Sequence, residues 1–383
     1  MTLSDILLKR RFVCPFCLRR LTWQKGLKKC AHTDCGRDLP VQYTDPDMLM
    51  AHFPAQVIGW VKHGKTAYLS ALTLMLMKMT KVWPRYAWSA ATDASQRRVQ
   101  EVNSNIRRGM MPQSTPLGTD ECYIMMLREM EPWGGRALLI RDCPGEVFDG
   151  MQIRVEEAPF LLRARTVYMF ISLPDLLDPA RLESEGRTMD MLMNNYIDTL
   201  TRSGVRLRKE ERRVIVVLTK GDLIRNLSAE LREYLANDVL WAAVNSESPE
   251  RMIAGASQDA VGTFMEKYLV RMHLAHRAIR RWLERDIMSQ NFIRLAESYK
   301  IDFRFSITSS TGAPVEANKA MQVTWEPRRV LDPFFWGLEL DRLGAPWPWA
   351  QLAGRPRGNG AFSTHQSERQ REPQDGASGT LGR

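Results

Sequence analysis

Residues 57–66 read Val-Ile-Gly-Trp-Val-Lys-His-Gly-Lys-Thr and set Gly59, Gly64, Lys65 and Thr66 in the spacing G-x-x-x-x-G-K-[ST]. A loop of this kind turns its backbone amides inward around phosphate oxygens, through angles that a Cβ would obstruct. Lys65 then reaches the outer phosphates, Thr66 offers its hydroxyl to Mg²⁺, and His63 lies between the glycines as a further cradle residue. A second chemistry sits upstream, in Cys14-Pro-Phe-Cys17 and Cys30-Ala-His-Thr-Asp-Cys35. Four thiolates at these intervals suit a tetrahedral Zn²⁺ site, and a closed set of four leaves no open position for catalysis. His32 could replace one thiolate. Disulfides are the competing reading, and a cytoplasmic chain argues against them. Cys122 and Cys143 are isolated and read as core residues.

Three further strand ends carry polar residues. Ala137–Ile140 is an apolar run that leads into Asp142-Cys-Pro-Gly145. A carboxylate there can hold a Mg²⁺ shell, and a glycine three residues on can present its amide to a terminal phosphate. Val214–Leu218 ends in Thr219-Lys220-Gly221-Asp222, whose last carboxylate can accept two hydrogen bonds from guanine but not from adenine. Ile301–Ile307 runs into Thr308-Ser309-Ser310-Thr311-Gly312, small residues that let a backbone amide approach the guanine O6.

These residues need a frame. Ala-Gln-Val-Ile ahead of the phosphate loop reads as a short buried strand, and Ala67–Met79 after it reads as a helix of strong helix formers. That helix points its N-terminus at the loop and adds to its attraction for anions. Glu121–Met130 supplies a neighbouring antiparallel strand, and Tyr168–Leu173 with Met189–Arg202 makes another strand–helix unit. In the head, Arg11–Val13 and Leu21–Trp23 suit the strands of a zinc ribbon. About 85 residues separate Asp222 from Thr308, and they hold helical patterns at Ser228–Leu240, Gly262–Arg285 and Asn291–Tyr299, with Ser246–Gln258 as a loop. Arg271, Arg277, Arg280, Arg281 and Arg285 give the second of these a basic face, either solvated or docking an acidic partner. Asp332-Pro-Phe-Phe-Trp makes a short terminal helix, with Trp347 and Trp349 stapling the last turn. From about Gly354 the composition is that of a disordered tail.

The chain has 383 residues, 44% of them hydrophobic, and a formal charge of +10. Its longest apolar run, around Leu69–Met77, is too short to cross a bilayer, and the first residues have the wrong charge order for a secretory signal. A cytoplasmic protein is expected. Residues 1–45 carry nine Lys/Arg against four Asp/Glu. That excess is read as a solvated face, with nucleic acid or another acidic partner as the alternative.

Taken in order, Gly59–Thr66, Asp142–Gly145, Thr219–Asp222 and Thr308–Ser310 resemble the motifs of a Ras-like, TRAFAC-type GTPase, across about residues 54–340. The cysteine head and Arg329–Trp336 make the chain similar to the second type of bacterial double-GTPase domain. The resemblance implies an α/β three-layer sandwich with a mostly parallel sheet, carrying a zinc ribbon (1–45), a GTPase domain (46–350) with a helical insert (about 223–300), and a tail (351–383). It implies GTP as substrate, Mg²⁺ held by Thr66 and Asp142, Zn²⁺ on the four cysteines, and no membrane. Lys65 would contact the β/γ-phosphates and Gly145 would sense the γ-phosphate. Lys220 would pack along the base, Asp222 would read it, and Thr308 and Ser309 would brace O6. The switch threonine falls on Thr115 or Thr119, with Thr115 favoured by its Gly/Pro-rich lead-in.

Two positions depart from the family. Thr219 stands where an Asn is usual, and Glu146 follows Gly145 where Ras-like proteins often carry the Gln that orients water. Glu146 would position water, repel the γ-phosphate to leave a slow switch, or stay a solvated loop residue. A role in a bacterial multi-protein system with a partner GTPase, defence among its candidate settings, is implied by analogy. The rival readings are a nucleotide-regulated scaffold with negligible turnover, docking protein or nucleic acid through the ribbon, and an ATP-preferring NTPase.

Overall fold

Runs of aliphatic and β-branched residues without polar interruption form strands covered on both faces, and the central sheet is made of them. The computed structural model describes residues 11–22, 24, 26–45, 50–111, 122–130, 133–143, 145, 160–178, 188–224, 226–249, 258–286, 290–312 and 325–341. Strands β1 (Arg11–Val13) and β2 (Arg20–Thr22) pair antiparallel in the head. The large sheet comprises β3 (Ala51–Ile58), β4 (Ala87–Ala90), β5 (Cys122–Met130), β6 (Gly134–Asp142), β7 (Thr166–Ser172), β8 (Arg213–Thr219) and β9 (Asp302–Ile307). Their order is β4-β5-β6-β3-β7-β8-β9. From β6 to β9 the neighbours are parallel; β5 runs antiparallel to both β4 and β6.

The helices are α1 (Val41–Thr44), α2 (Lys65–Lys78), α3 (Asp93–Arg108), α4 (Leu173–Leu176), α5 (Met189–Arg202), α6 (Ala229–Ala236), α7 (Val239–Asn245), α8 (Gln258–Asp286), α9 (Gln290–Ser298) and α10 (Leu331–Gly337). Alternation along β7 and β8 sorts the core into two layers, because successive side chains of a strand point to opposite faces. Tyr168, Phe170, Ile215 and Val217 pack with α2, α7 and α10, whereas Val167, Met169, Val214 and Val216 pack with α5 and α9. The expected three-layer α/β sandwich is therefore present. Helix α8 serves both layers: Met265, Leu269 and Met272 enter the first, Ile279 and Leu283 the second. At its midpoint His276 Nδ1 accepts the Phe305 N–H of edge strand β9 at 3.0 Å, so the helix covers an edge that would otherwise invite pairing.

The head shares a third core with the sheet. Phe12, Leu21, Leu39 and Tyr43 pack against Ile124, Met126, Ala137 and Leu139 on β5 and β6. Arg163 Nη1 donates to the Cys17 carbonyl at 3.1 Å, tying the chain ahead of β7 to the first cysteine turn.

Several expectations need correction. Ser228–Leu240 is two helices, because Asp238 caps a new one with hydrogen bonds from the Leu240 and Trp241 amides at 3.1 and 3.0 Å. Strand β4 and helix α3 were not anticipated. The helix has legible ends: Thr92 caps its start by accepting from Ser95 N–H, and Gly109 closes it with φ 62°. On α8, Arg280 pairs with Glu284 and Glu297, and Arg281 with Glu230, so part of the basic face is matched within the chain. Thr115, Thr119, Glu146, Trp347, Trp349 and the tail lie outside the described residues. No described helix is long and apolar enough to cross a membrane.

Candidate functional site

Parallel strands end on one edge of the sheet, and there the polar strand ends gather. Gly59 leaves β3 with φ 146°, and a Cβ on it would lie 2.8 Å from the Phe170 carbonyl oxygen of β7. Gly64 (φ 83°) caps α2 from the left-handed region, with Thr219 at ordinary contact distance. Gly59 is thus required by backbone angle and by its neighbour, and Gly64 by backbone angle. The Lys65 ammonium lies within the loop and donates to the Gly59 and Trp60 carbonyls at 2.7 and 2.9 Å. Thr66 follows on the first turn of α2 and is half-buried.

The loop is braced from the next two strands. His63 is 3% exposed, and its Nδ1 lies 3.0 Å from the Phe170 carbonyl oxygen while Nε2 faces Asp175 at 3.7 Å. Burial outweighs that carboxylate and pushes the imidazole down to about 4. The His63 side chain therefore faces β7, as a brace on the loop. Thr219 Oγ donates to the His63 carbonyl at 2.9 Å and lies 3.3 Å from that of Ile171. At this position a threonine hydroxyl links the phosphate loop to the end of β8.

Asp142 ends β6 beside Val57 in the parallel register and is 4% exposed. Gly145 approaches the loop so closely that a Cβ would sit 2.4 Å from the Val61 amide nitrogen. On the other side of β3, Lys220 adopts φ 58°, and the Gly221 amide donates to the Thr308 carbonyl at 3.0 Å. That bond joins the chain after β8 to the chain after β9. Asp222 is half-buried, and Thr308 and Ser309 are fully buried. Ser309 Oγ accepts the Gly312 amide at 2.9 Å, and its backbone pairs with Arg328. The contribution of residues 325–329 escapes sequence reasoning, since no local pattern marks the partner of an isolated bridge.

The edge is suited to a nucleotide. Gly59 and Gly145 let the backbone lie against Phe170 and Val61 where a Cβ would clash, the close approach a phosphate loop needs, and a hydroxyl (Thr66) with a carboxylate (Asp142) forms the hard oxygen set that Mg²⁺ prefers. The head is suited to zinc. The four Sγ atoms of Cys14, Cys17, Cys30 and Cys35 lie within 4.8 Å of one another, with Cys14–Cys35 and Cys17–Cys30 both at 3.8 Å. A tetrahedron with Zn–S of about 2.3 Å has S···S edges of about 3.8 Å. All six cysteines are free thiols, which removes the disulfide reading. His32 is not a fourth donor here: its Nε2 contacts the Arg20 carbonyl oxygen at 3.1 Å. Cys122 and Cys143 are buried, as expected of core residues.

A mostly parallel α/β sheet with a glycine-lined phosphate loop at its carboxyl edge is the architecture of a P-loop GTPase. A sequence profile described as Double-GTPase 2 matches residues 56–269, more than half of the chain, and the chain belongs to that family. Among solved structures it is similar to the GTPase-like domain of Ski7 from S. cerevisiae, bound to GDP and inorganic phosphate. The identity is 12%, with a TM-score of 0.33, over 77% of this chain and 51% of that one. It is also similar to sup35 complexed with GDP, at 13% identity and TM-score 0.25, over 70% and 39% of the two chains. The match therefore spans about half the length of the first of these and less of the second. No curated protein matches the chain.

Proposed function

We propose that the protein is a Mg²⁺-dependent GTP-binding and GTP-hydrolysing switch. The observation that carries this reading is the convergence of four separated motifs on one edge, stitched together by Thr219 on His63 and Gly221 on Thr308. Lys65 would leave the loop carbonyls for the β- and γ-phosphate oxygens, and the amides of Gly59–Thr66 would hold the rest of the phosphate chain. Thr66 and Asp142 would hold Mg²⁺, which when bound neutralises charge on the phosphate oxygens. Gly145, kept against the loop by its missing side chain, would offer its amide to the γ-phosphate. Asp222 would accept from the guanine N1 and N2 groups while Lys220 packs along the base. Thr115 would be the switch threonine, and Glu146 would either position the attacking water or repel the γ-phosphate and leave a slow switch. The cysteine head would hold one structural Zn²⁺. A second GTPase as partner, within a bacterial multi-protein system, follows from resemblance alone.

Competition of GTP and ATP for the purified protein tests the reading. GTP is expected to win by at least about tenfold, and Asp222→Asn to erase most of that margin. Unchanged GTP preference in the variant overturns the assignment. Multiple-turnover phosphate release separates a GTPase from a scaffold without turnover.

A further inference from the structure

The loop that follows β9 is held from outside by a distant piece of chain. Ser309 and Arg328 exchange both backbone hydrogen bonds, Ser309 N–H to Arg328 O at 3.1 Å and Arg328 N–H to Ser309 O at 2.8 Å. Beyond them the Glu326 amide donates to Thr311 O at 3.0 Å. Gly312 (φ 80°) closes the contact, and a Cβ there would lie 2.3 Å from the Glu326 carbonyl oxygen. The loop is therefore one half of a two-stranded clamp. Ser309 spends its own amide on Arg328, and the next amide along, that of Ser310, would meet an oxygen of the base.

The other half is bolted into the helical insert by Arg329. This residue is 1% exposed and stands at φ 56°, a backbone angle that a bulky side chain adopts only under constraint. Its guanidinium stacks 3.8 Å from the Tyr234 ring centroid, donates from Nε to the Tyr234 carbonyl at 2.8 Å, and from Nη2 to the Asn237 carbonyl at 2.6 Å. Its amide donates to Asp238 Oδ2 at 2.6 Å, the same carboxylate whose other oxygen caps α7. Three residues on, the buried Asp332 accepts the hydroxyls of Tyr234 and Tyr268, each at 2.5 Å. A planar cation with several donors fits this socket, and a flexible ammonium does not reproduce its geometry.

We infer that Arg329 is a positioning residue for base recognition: through the Arg328–Ser309 bridge it fixes the Thr308–Gly312 loop at the distance needed to read the 6-oxo group of guanine. The inference rests on the proposed reading of that loop as the guanine loop. It gives the helical insert a task, since α6 and α8 supply the socket that sets the clamp.

Three nucleotides separate this role from general support. GTP carries the 6-oxo group, 6-thio-GTP replaces that oxygen by a weak acceptor, and ITP keeps it but lacks the 2-amino group that Asp222 would read. In the full chain, Arg329→Lys is expected to shrink the GTP/6-thio-GTP affinity ratio about fivefold, the loss of one hydrogen bond, and to leave the GTP/ITP ratio unchanged. Gly312→Ala, which forces the clamp open from the loop side, is expected to do the same and decides the matter if Arg329→Lys does not fold. An equal loss for all three nucleotides, or ratios unchanged in a folded variant, overturns the inference. A wild-type protein that does not prefer GTP to ATP overturns the underlying guanine reading instead.

Discussion

The cysteine head collects its four thiols from residues 14–35, whereas the nucleotide edge draws Gly59, Asp142, Thr219 and Thr308 from four separate strand ends. In the head, tight turns do the positioning: Leu18 N–H closes back on Cys14 O, and the Cys35 and Gly36 amides close on His32 O, all at 2.9 Å. At the edge no turn could suffice, and the order of strands in the sheet brings the residues together. A site made from adjacent turns needs only those turns. A site made from strand ends needs the whole core to be right. The two regions are nevertheless not independent, because the head covers one face of β5 and β6 and Arg163, ahead of β7, grips its Cys17 carbonyl.

Removing the zinc proposed for the head tests that dependence most severely. Structural Zn²⁺ contributes on the order of 10 kcal/mol to small metal-held folds. Chelation, or Cys17→Ser, is expected to expose the β5–β6 face and lower the thermal midpoint of the α/β domain as well as that of the head. Melting of the α/β domain unchanged by zinc loss would show the head to be a separate module.

Replacing Gly145 by Ala strikes the edge alone. Its Cβ would meet the Val61 amide nitrogen at 2.4 Å, so the loop must shift. Nucleotide affinity is expected to fall about a hundredfold, roughly 3 kcal/mol, in a fluorescent GTP titration, while the zinc proposed for the head is retained. A variant that binds GTP normally would detach Gly145 from the phosphate site.

Acidification sharpens the comparison, since one low-pKa histidine lies in the loop and another lies on β3 against the head. His63 in the loop and His52, partly exposed beside the head's Tyr43 ring at 4.9 Å, are both pushed by burial from 6.5 to about 4. The folded state favours the neutral ring, so this contribution is complete above pH 6.5 and is lost as pH falls towards 4. At about 1.4 kcal/mol per pH unit, roughly 2 kcal/mol for His63 disappears between pH 6.5 and 5, and less for the more exposed His52. Asp332 runs the other way: burial raises its carboxyl from 3.8 to about 6, so its contribution is fullest below pH 3.8 and is lost as pH rises through 6. Urea denaturation from pH 7 to 5 is expected to show falling stability, with a shallower slope in His63→Gln. An unchanged slope would mean that the His63 imidazole takes up its proton equally in the folded and unfolded chain.

The smallest effect belongs to the seam between the regions. Arg163→Ala removes one N–H from the Cys17 carbonyl and is expected to cost about 1 kcal/mol in stability, with GTP affinity retained. A large loss of GTP affinity instead would make the seam part of the nucleotide response.

How much of this was readable beforehand follows the same division. The cysteine spacing marked the four thiols that cluster because a C-x2-C turn has few conformations open to it. The phosphate loop was readable because glycine, lysine and threonine are each demanded by a local geometry. Helix α3 carries equally local end signals in Thr92 and Gly109, but its largely polar interior gives no apolar run to mark it. The break at Asn237-Asp238 lay in plain view as a capping residue within a helical pattern. His32 had the right chemistry for zinc and was excluded only by its bond to Arg20 O.

Residue types and short spacings dictate which local structures this chain can form: a thiolate quartet, a phosphate-binding turn, apolar strands ending in Asp or Thr. They act over a few residues, where backbone sterics and hydrogen bonding leave few choices. Which strand lies beside which, that Thr219 meets His63, that Gly145 rests on Val61, and that Arg329 from the far end of the chain sets the loop at Ser309 are decided by tertiary packing. Those contacts span from tens of residues to more than a hundred, and their partners are chosen by how whole faces bury against one another, which no local pattern encodes.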